Sequence, residues 1–281
     1  MPHPVAKTFL QAAELIAGDA ARQGNCLHFG PGEEIVYTGD IHGHRENLAK
    51  IIGYADLPAH PGRRLVLQEV IHGGAGGDAG DDRSVDVLLR AARLKVSFPD
   101  QVFFLIGNHD VAEIANNEIT KNGRGVCRAF GAGLKRMFGP DAKELRSAVH
   151  EMLRGQPLLA RCANGILLSH SLPSPRRMKR VDWTILERPY RDGDFRRGGS
   201  VYEWTWGRGH TAEQLAALAE RLGARQFLLG HEHIETGWEV HHDRLVILAS
   251  NHSHGAVAVF EAGTEIPDNA ITRHCKPIVA L

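Results

Sequence analysis

The sequence has no surplus of charge, no paired cysteines and no long apolar run. Thirty-three basic residues offset thirty-three acidic ones in a chain of 281, which leaves no electrostatic coat for nucleic acid or an anionic membrane surface. Cys26, Cys127, Cys162 and Cys275 lie far apart and form no C-x-x-C pair. That argues against a disulfide framework or a zinc knot and reads as buried free thiols. No segment approaches a membrane span, and the first residues lack a basic stretch followed by an apolar one. The expectation is a soluble cytoplasmic protein with neither nucleic-acid nor membrane partners. What the chain does have is 43% hydrophobic residues, enough for a substantial core. It also has seventeen histidines, many beside Gly, Asp or Asn rather than inside apolar runs.

Short apolar or β-branched runs recur and stop at polar clusters: EEIVYTGD, RRLVLQEV, QVFFLIGNHD, GILLSHS, ARQFLLGHEH and DRLVILASNHSH. Between them lie stretches with helical spacing, such as HRENLAKIIGYA, RSVDVLLRAARL, DAKELRSAVHEMLRG and TAEQLAALAERLG. Alternating strands and helices predict an α/β fold with helices on the sheet faces, and ligands at the strand ends. An amphipathic helix within residues 1–24 precedes the core. Residues 25–281 read as a single domain, with insertions at 72–82, a glycine-rich loop, and at about 172–200, a polar segment suited to a substrate lid.

The strand ends carry the chemistry. In TGDIHGH, Asp40 and His42 are two apart on an extended segment, so both face one side and can grip one cation. In GNHD, the Asn108 carbonyl oxygen can bind a metal while His109 turns toward a substrate. His170 ends LLSHS, and His231 and His233 in LLGHEH repeat the one-sided geometry of the first pair. Each motif alone is weak; their joint occurrence in this order is improbable by chance.

The ordered set D-x-H, a carboxylate after the next strand, G-N-H-[DE], a lone His and G-H-x-H resembles the calcineurin-like metallophosphoesterases over about residues 36–260. GDIHGH and the stretch LRGQPLLARCANGILLSHSLPSP look like the phosphoprotein-phosphatase branch, which includes bacterial serine/threonine phosphatases and diadenosine tetraphosphate hydrolases. The resemblance implies a four-layer α/β sandwich, two mixed β-sheets flanked by helices, with a binuclear metal site at one edge. It assigns Asp40, His42 and His233 to one metal and Asn108, His170 and His231 to the other. The family's second motif reads G-D-x-x-D-R-G, its first Asp bridging both metals; here the matching strand end reads Gln68-Glu69-Val70-Ile71-His72-Gly73-Gly74. Glu69 falls on the bridging position, with Asp78 as its rival. The family's second Asp supports the catalytic His and the adjacent Arg clamps the phosphate, yet His72 and Gly73 stand there.

Two divalent ions are therefore implied, Mn first, with Fe or Zn as alternatives, since a mixed imidazole, carboxylate and amide set suits all three. His109 takes the role of leaving-group acid, and Asp110 is a candidate to orient its imidazole. Arg208, in WTWGR, and Arg83, displaced down the chain by the loop insertion, are candidates to hold the phosphate. His252 or His254 is placed near the pocket. The implied reaction is hydrolysis of a phosphate monoester, phosphoprotein included, by a metal-activated hydroxide. A dinucleoside polyphosphate or phosphodiester hydrolase is the alternative, and a non-catalytic metal-binding protein is a third reading. The expected partner is thus a phosphorylated small molecule, nucleotide or phosphoprotein.

Overall fold

A computed structural model describes residues 3–73, 82–121, 123–268 and 270–281. Two β-sheets pack face to face. One runs, edge to edge, through Cys275–Pro277, Ala256–Glu261, Glu34–Asp40, Arg63–Gln68 and Val102–Leu105. The other runs through Arg22–Gln23, Cys26–Phe29, Leu159–Cys162, Ile166–Ser169, Gln226–Leu229, Leu245–Leu248 and Trp238–His241. Side chains alternate between the two faces of each strand. Ile35, Tyr37, Val66, Leu228 and Leu248 fill the space between the sheets, whereas Val36, Leu65, Leu67, Phe227 and Leu229 face outward into the helices. Burial on both faces is why these strands read as near-continuous apolar runs.

The direction of the strands sets the position of the motifs. Glu34–Asp40, Arg63–Gln68 and Val102–Leu105 run parallel, as do Ile166–Ser169, Gln226–Leu229 and Leu245–Leu248. Their carboxyl ends meet along one edge, where a parallel bridge joins Asp40 to Ala249 across the two sheets. Gly39 permits that approach, since a Cβ there would lie 2.1 Å from the Leu248 carbonyl oxygen. The Tyr37 hydroxyl ties the layers together, donating toward the Ser169 and Leu228 carbonyls at 2.8 and 3.2 Å.

The helix Pro4–Ala17 packs on Ser84–Ser97 and Ala142–Arg154 through buried Ala6, Phe9, Ala12 and Ile16. Just beyond it, Asp19 pairs with the buried Lys95 ammonium. A helix over Val126–Phe138 escapes the sequence reading because Gly131 and Gly133 interrupt its pattern. Gly133 is there for packing: a Cβ would lie 1.8 Å from the Asp82 carbonyl. Residues 172–200 fold into short 3-10 turns at Met178–Arg180, Trp183–Leu186 and Asp192–Phe195, anchored by buried Ile185 and Phe195. Some of their charges are paired, Arg188 being forked onto Asp194 and Arg177 bonded to Glu203 on a neighbouring helix. All four cysteines are free and buried, and among the described residues no helix is long and apolar enough to cross a membrane.

Candidate metal centre and active site

At the edge where the strand ends meet, a cavity of about 870 Å³ is lined by Asp40, His42, Asn108, His109, His231 and His233, with Trp206, Arg208, Ile119 and His252 on its walls. Four of the residues around it, His42, Glu69, His72 and His231, have left-handed backbones at φ 43°, 42°, 59° and 73°. Strain of this kind is sustained only where the surroundings hold the chain firmly, and it gathers at functional sites.

One group of donors is oriented by the Gln68 amide. The Gln68 amide nitrogen donates to the Tyr37 hydroxyl at 2.8 Å and the Thr38 carbonyl at 2.7 Å, so its oxygen must be the atom facing His170. His170 Nδ1 donates to that oxygen at 2.9 Å, which leaves a lone pair on Nε2. Nε2 stands 2.9 Å from Asn108 Oδ1 and 3.0 Å from His231 Nδ1, and the last two are 2.8 Å apart. Glu69 Oε1 lies 3.6 Å from the same Nε2. Burial, with the neighbouring His170 and Arg208, holds His231 well below the ordinary imidazole pKa, so it is neutral, the form a metal needs. Donor atoms this close share either a proton or a cation. Separations of about 3 Å are those of donors bound some 2.1 Å from a shared ion.

A second group adjoins it. His42 Nδ1 donates to the Ile71 carbonyl at 3.1 Å, turning Nε2 toward Glu69 Oε2 at 3.3 Å and Asp40 Oδ2 at 3.9 Å. Glu69 thus presents one oxygen to each group. Room for its extra methylene comes from Gly107, where a Cβ would lie 2.5 Å from Glu69 Oε1. The His109 backbone N–H fixes the same oxygen at 2.6 Å. Gly230 plays the matching part for Asp40, whose Oδ1 would be 2.5 Å from a Cβ there. The His231 N–H also donates to Asp40, at 3.0 and 3.1 Å to its two oxygens.

The charges fit a cation site. Burial and the adjoining Asp40 and Asp110 push Glu69 well above the usual carboxylate range. Burial would raise Asp40 too, but His170, His42 and the His231 N–H outweigh it and hold Asp40 well below that range. Two buried carboxyls side by side are thus pushed in opposite directions, a conflict that divalent cations relieve.

His233 stands at the exposed rim of the cavity, its ring edge-on to His252 at 5.4 Å. Arg208 also lines the cavity, exposed and 3.9 Å from Glu232. Arg83 is exposed at the start of Ser84–Ser97 and is not among the residues lining the cavity. No residue of 172–200 lines it either, and Trp206 and Ile119 supply its apolar wall. Asp78 lies outside the described residues. His44 and Asp110 prove to be helix caps: His44 Nδ1 accepts from the Asn47 N–H, and Asp110 Oδ2 accepts from the Gly107 N–H at 2.8 Å. Burial pushes Asp110 up to about 7. The His109 ring is oriented at Nδ1 by His72, 3.1 Å away, with Glu113 behind it. Sequence reasoning missed Gln68, Gly107, Gly230 and Glu113; the last was detectable, since it lies four residues after His109 on one helix face.

Fold and donor set together define a hydrolase acting on phosphate esters. Residues 34–235 match the calcineurin-like phosphoesterases, and the chain belongs to that family. Its fold is similar to that of a protein serine/threonine phosphatase from Saccharomyces cerevisiae, with a TM-score of 0.71, 15% identity, 95% of this chain and 84% of that one covered. A cold-active protein-tyrosine phosphatase of a psychrophilic Shewanella aligns with a TM-score of 0.58, 14% identity and coverage of 89% and 82%. No curated protein matches the sequence. Family and donor groups make this a metal-dependent phosphoesterase acting on phosphorylated substrates.

Proposed function

We propose that the protein hydrolyses phosphate monoesters, phosphoprotein among them, in the manner of the phosphoprotein-phosphatase branch, through two divalent ions. Asn108, His170 and His231 hold one ion, Asp40, His42 and His233 the other, and Glu69 bridges them. Mn is the first candidate, with Fe or Zn as alternatives. When bound, such a pair lowers the pKa of a shared water so that hydroxide is available near neutral pH. His109 delivers a proton to the leaving oxygen, and Arg208 steadies the phosphoryl oxygens as charge spreads over them. Four buried free cysteines suit a reducing, cytoplasmic setting.

The observation that carries this reading is the convergence of three potential metal donors, His170 Nε2, His231 Nδ1 and Asn108 Oδ1, within 3.0 Å of one another beside Glu69. The test is hydrolysis of p-nitrophenyl phosphate by protein stripped with chelator and reloaded with Mn²⁺. Restored release of p-nitrophenol is expected. Bound metal without release would overturn the monoesterase reading and favour a dinucleotide, phosphodiester or non-catalytic role.

A further inference from the structure

Behind His109, on the side away from the cavity, lies a second cluster of titratable groups. His72 Nδ1 is 3.1 Å from His109 Nδ1, and His72 Nε2 is 3.2 Å from Glu113 Oε2. Glu113 Oε1 accepts from Arg146 Nε at 2.6 Å and His150 Nε2 at 3.0 Å. His72 and Glu113 are both 0% exposed. The His72 N–H is anchored by Ser84 Oγ at 2.9 Å, which in turn belongs to the helix capped by Asp82 Oδ1.

Proton accounting gives the cluster a direction. Burial alone would raise Glu113, but hydrogen bonds from His150, His72 and Arg146 overcome it and hold the carboxyl well below its usual range. An ionised carboxylate only accepts, so His72 Nε2 carries the hydrogen. Where the ring carries that proton only, Nδ1 is an acceptor, and the 3.1 Å Nδ1 to Nδ1 contact is a bond donated by His109. That bond keeps one proton on His109 Nδ1, so Nε2 is the atom that takes up a second proton and passes it to the leaving oxygen. A third cation suits the cluster poorly. Arg146 already occupies Glu113, and burial, with Glu113 and Glu118, pushes the nearby Cys127 thiol up to about 12.

We propose that His72 and Glu113 are positioning residues for His109, an imidazole backed by a carboxylate standing where the resembled family has an aspartate. The exchange is sterically natural. Nδ1 of a histidine sits as far from its Cα, in bonds, as the carboxylate oxygen of an aspartate, so the acceptor stays in place and the rest of the ring reaches inward to Glu113. A backbone at φ 59° is also one that His, Asp and Asn adopt more readily than most residues. The activity readouts rest on the monoesterase reading above; the tautomer does not.

Two variants separate positioning from mere packing. His72→Gly tolerates the left-handed backbone and removes the acceptor; His72→Asn restores an acceptor at the same place. His72→Gly should lower kcat about 10- to 100-fold, the usual cost of losing a partner that orients a site residue, with KM and metal content little changed. The loss should grow from 2,4-dinitrophenyl phosphate to an alkyl phosphate, whose leaving oxygen needs the proton more. His72→Asn should recover most of it. In a His109→Ala background, His72→Gly should add nothing. Alongside, ¹⁵N resonances of labelled histidine, recorded on metal-stripped protein, should show wild-type His109 protonated at Nδ1 and that state lost in His72→Gly. A wild-type His109 protonated at Nε2 alone, with Nδ1 bare, or equal losses on both substrates, would overturn the proposal while leaving the phosphatase reading intact. An inactive wild type that keeps the Nδ1 proton would do the reverse.

Discussion

The two sides of His109 are built on opposite principles. On the cavity side, His170 Nε2, His231 Nδ1 and Asn108 Oδ1 crowd within 3.0 Å of one another, and the carboxyls of Asp40 and Glu69 are pushed in opposite directions. On the core side, Glu113 receives three donors and His72 is bonded at both ring nitrogens and at its N–H. Frustration on one side is relieved by a ligand; saturation on the other holds the ring still. A site with both needs the ligand for its charge and the core for its geometry, which gives the two sides separable responses to mutation.

The largest effect should come from the cavity side. Glu69→Ala removes a carboxylate that presents one oxygen to each donor group, and kcat for p-nitrophenyl phosphate should fall by about 10³-fold or more. His109→Ala should lower turnover about 10²-fold or more while elemental analysis finds metal content unchanged; full turnover would remove it from the mechanism. Gly107→Ala forces a Cβ to within 2.5 Å of Glu69 Oε1. Metal affinity, read by competition with a chromophoric chelator, should weaken about 10-fold.

The core side should answer in stability. Breaking a buried, multiply bonded carboxylate costs about 3 kcal/mol, so Glu113→Gln should lower the denaturation midpoint at pH 7. The folded pKa of Glu113 is depressed from 4.5. Its contribution is therefore complete above pH 4.5 and shrinks as pH falls toward the folded value; urea midpoints of wild type and variant should converge in acid. The smallest effect belongs far from both sides. Gly53, inside the helix Arg45–Ala55 with nothing within 4 Å of a Cβ, should accept Ala with a gain of about 0.5–1 kcal/mol and unchanged kcat.

Much of this was legible in the sequence. The strand runs ending at Asp40, Gln68, Leu105, Ser169, Leu229 and Leu248 are apolar because both sheet faces are buried, so the α/β order and the strand-end location of the motifs could be read directly. Glycine hid the helix at Val126–Phe138, and the close approach that demands Gly133 is visible only in three dimensions. The segment 172–200 read as polar and suited to a lid, but its sparse apolar residues, Ile185 and Phe195, are buried and no residue of it lines the cavity. At the site, spacing suggested the pairs Asp40 with His42 and His231 with His233, the family resemblance implied the rest of the ligand set, and the supporting residues were not visible. Asp110 looked like the partner of His109 by adjacency, yet a residue at the third position of a helix turns back onto the N-terminal N–H groups and caps Gly107. The supporting carboxylate instead lies one helical turn on, at Glu113, and reaches His109 through a strand-end histidine from another part of the chain.

The central claim is that Glu69 joins two metal sites. The direct measurement is the Mn²⁺ bound at saturation, by equilibrium dialysis of chelator-stripped wild type and Glu69→Ala. Two equivalents per chain in the wild type and one or none in the variant are predicted. A single equivalent in the wild type, or two retained in Glu69→Ala, would contradict the claim.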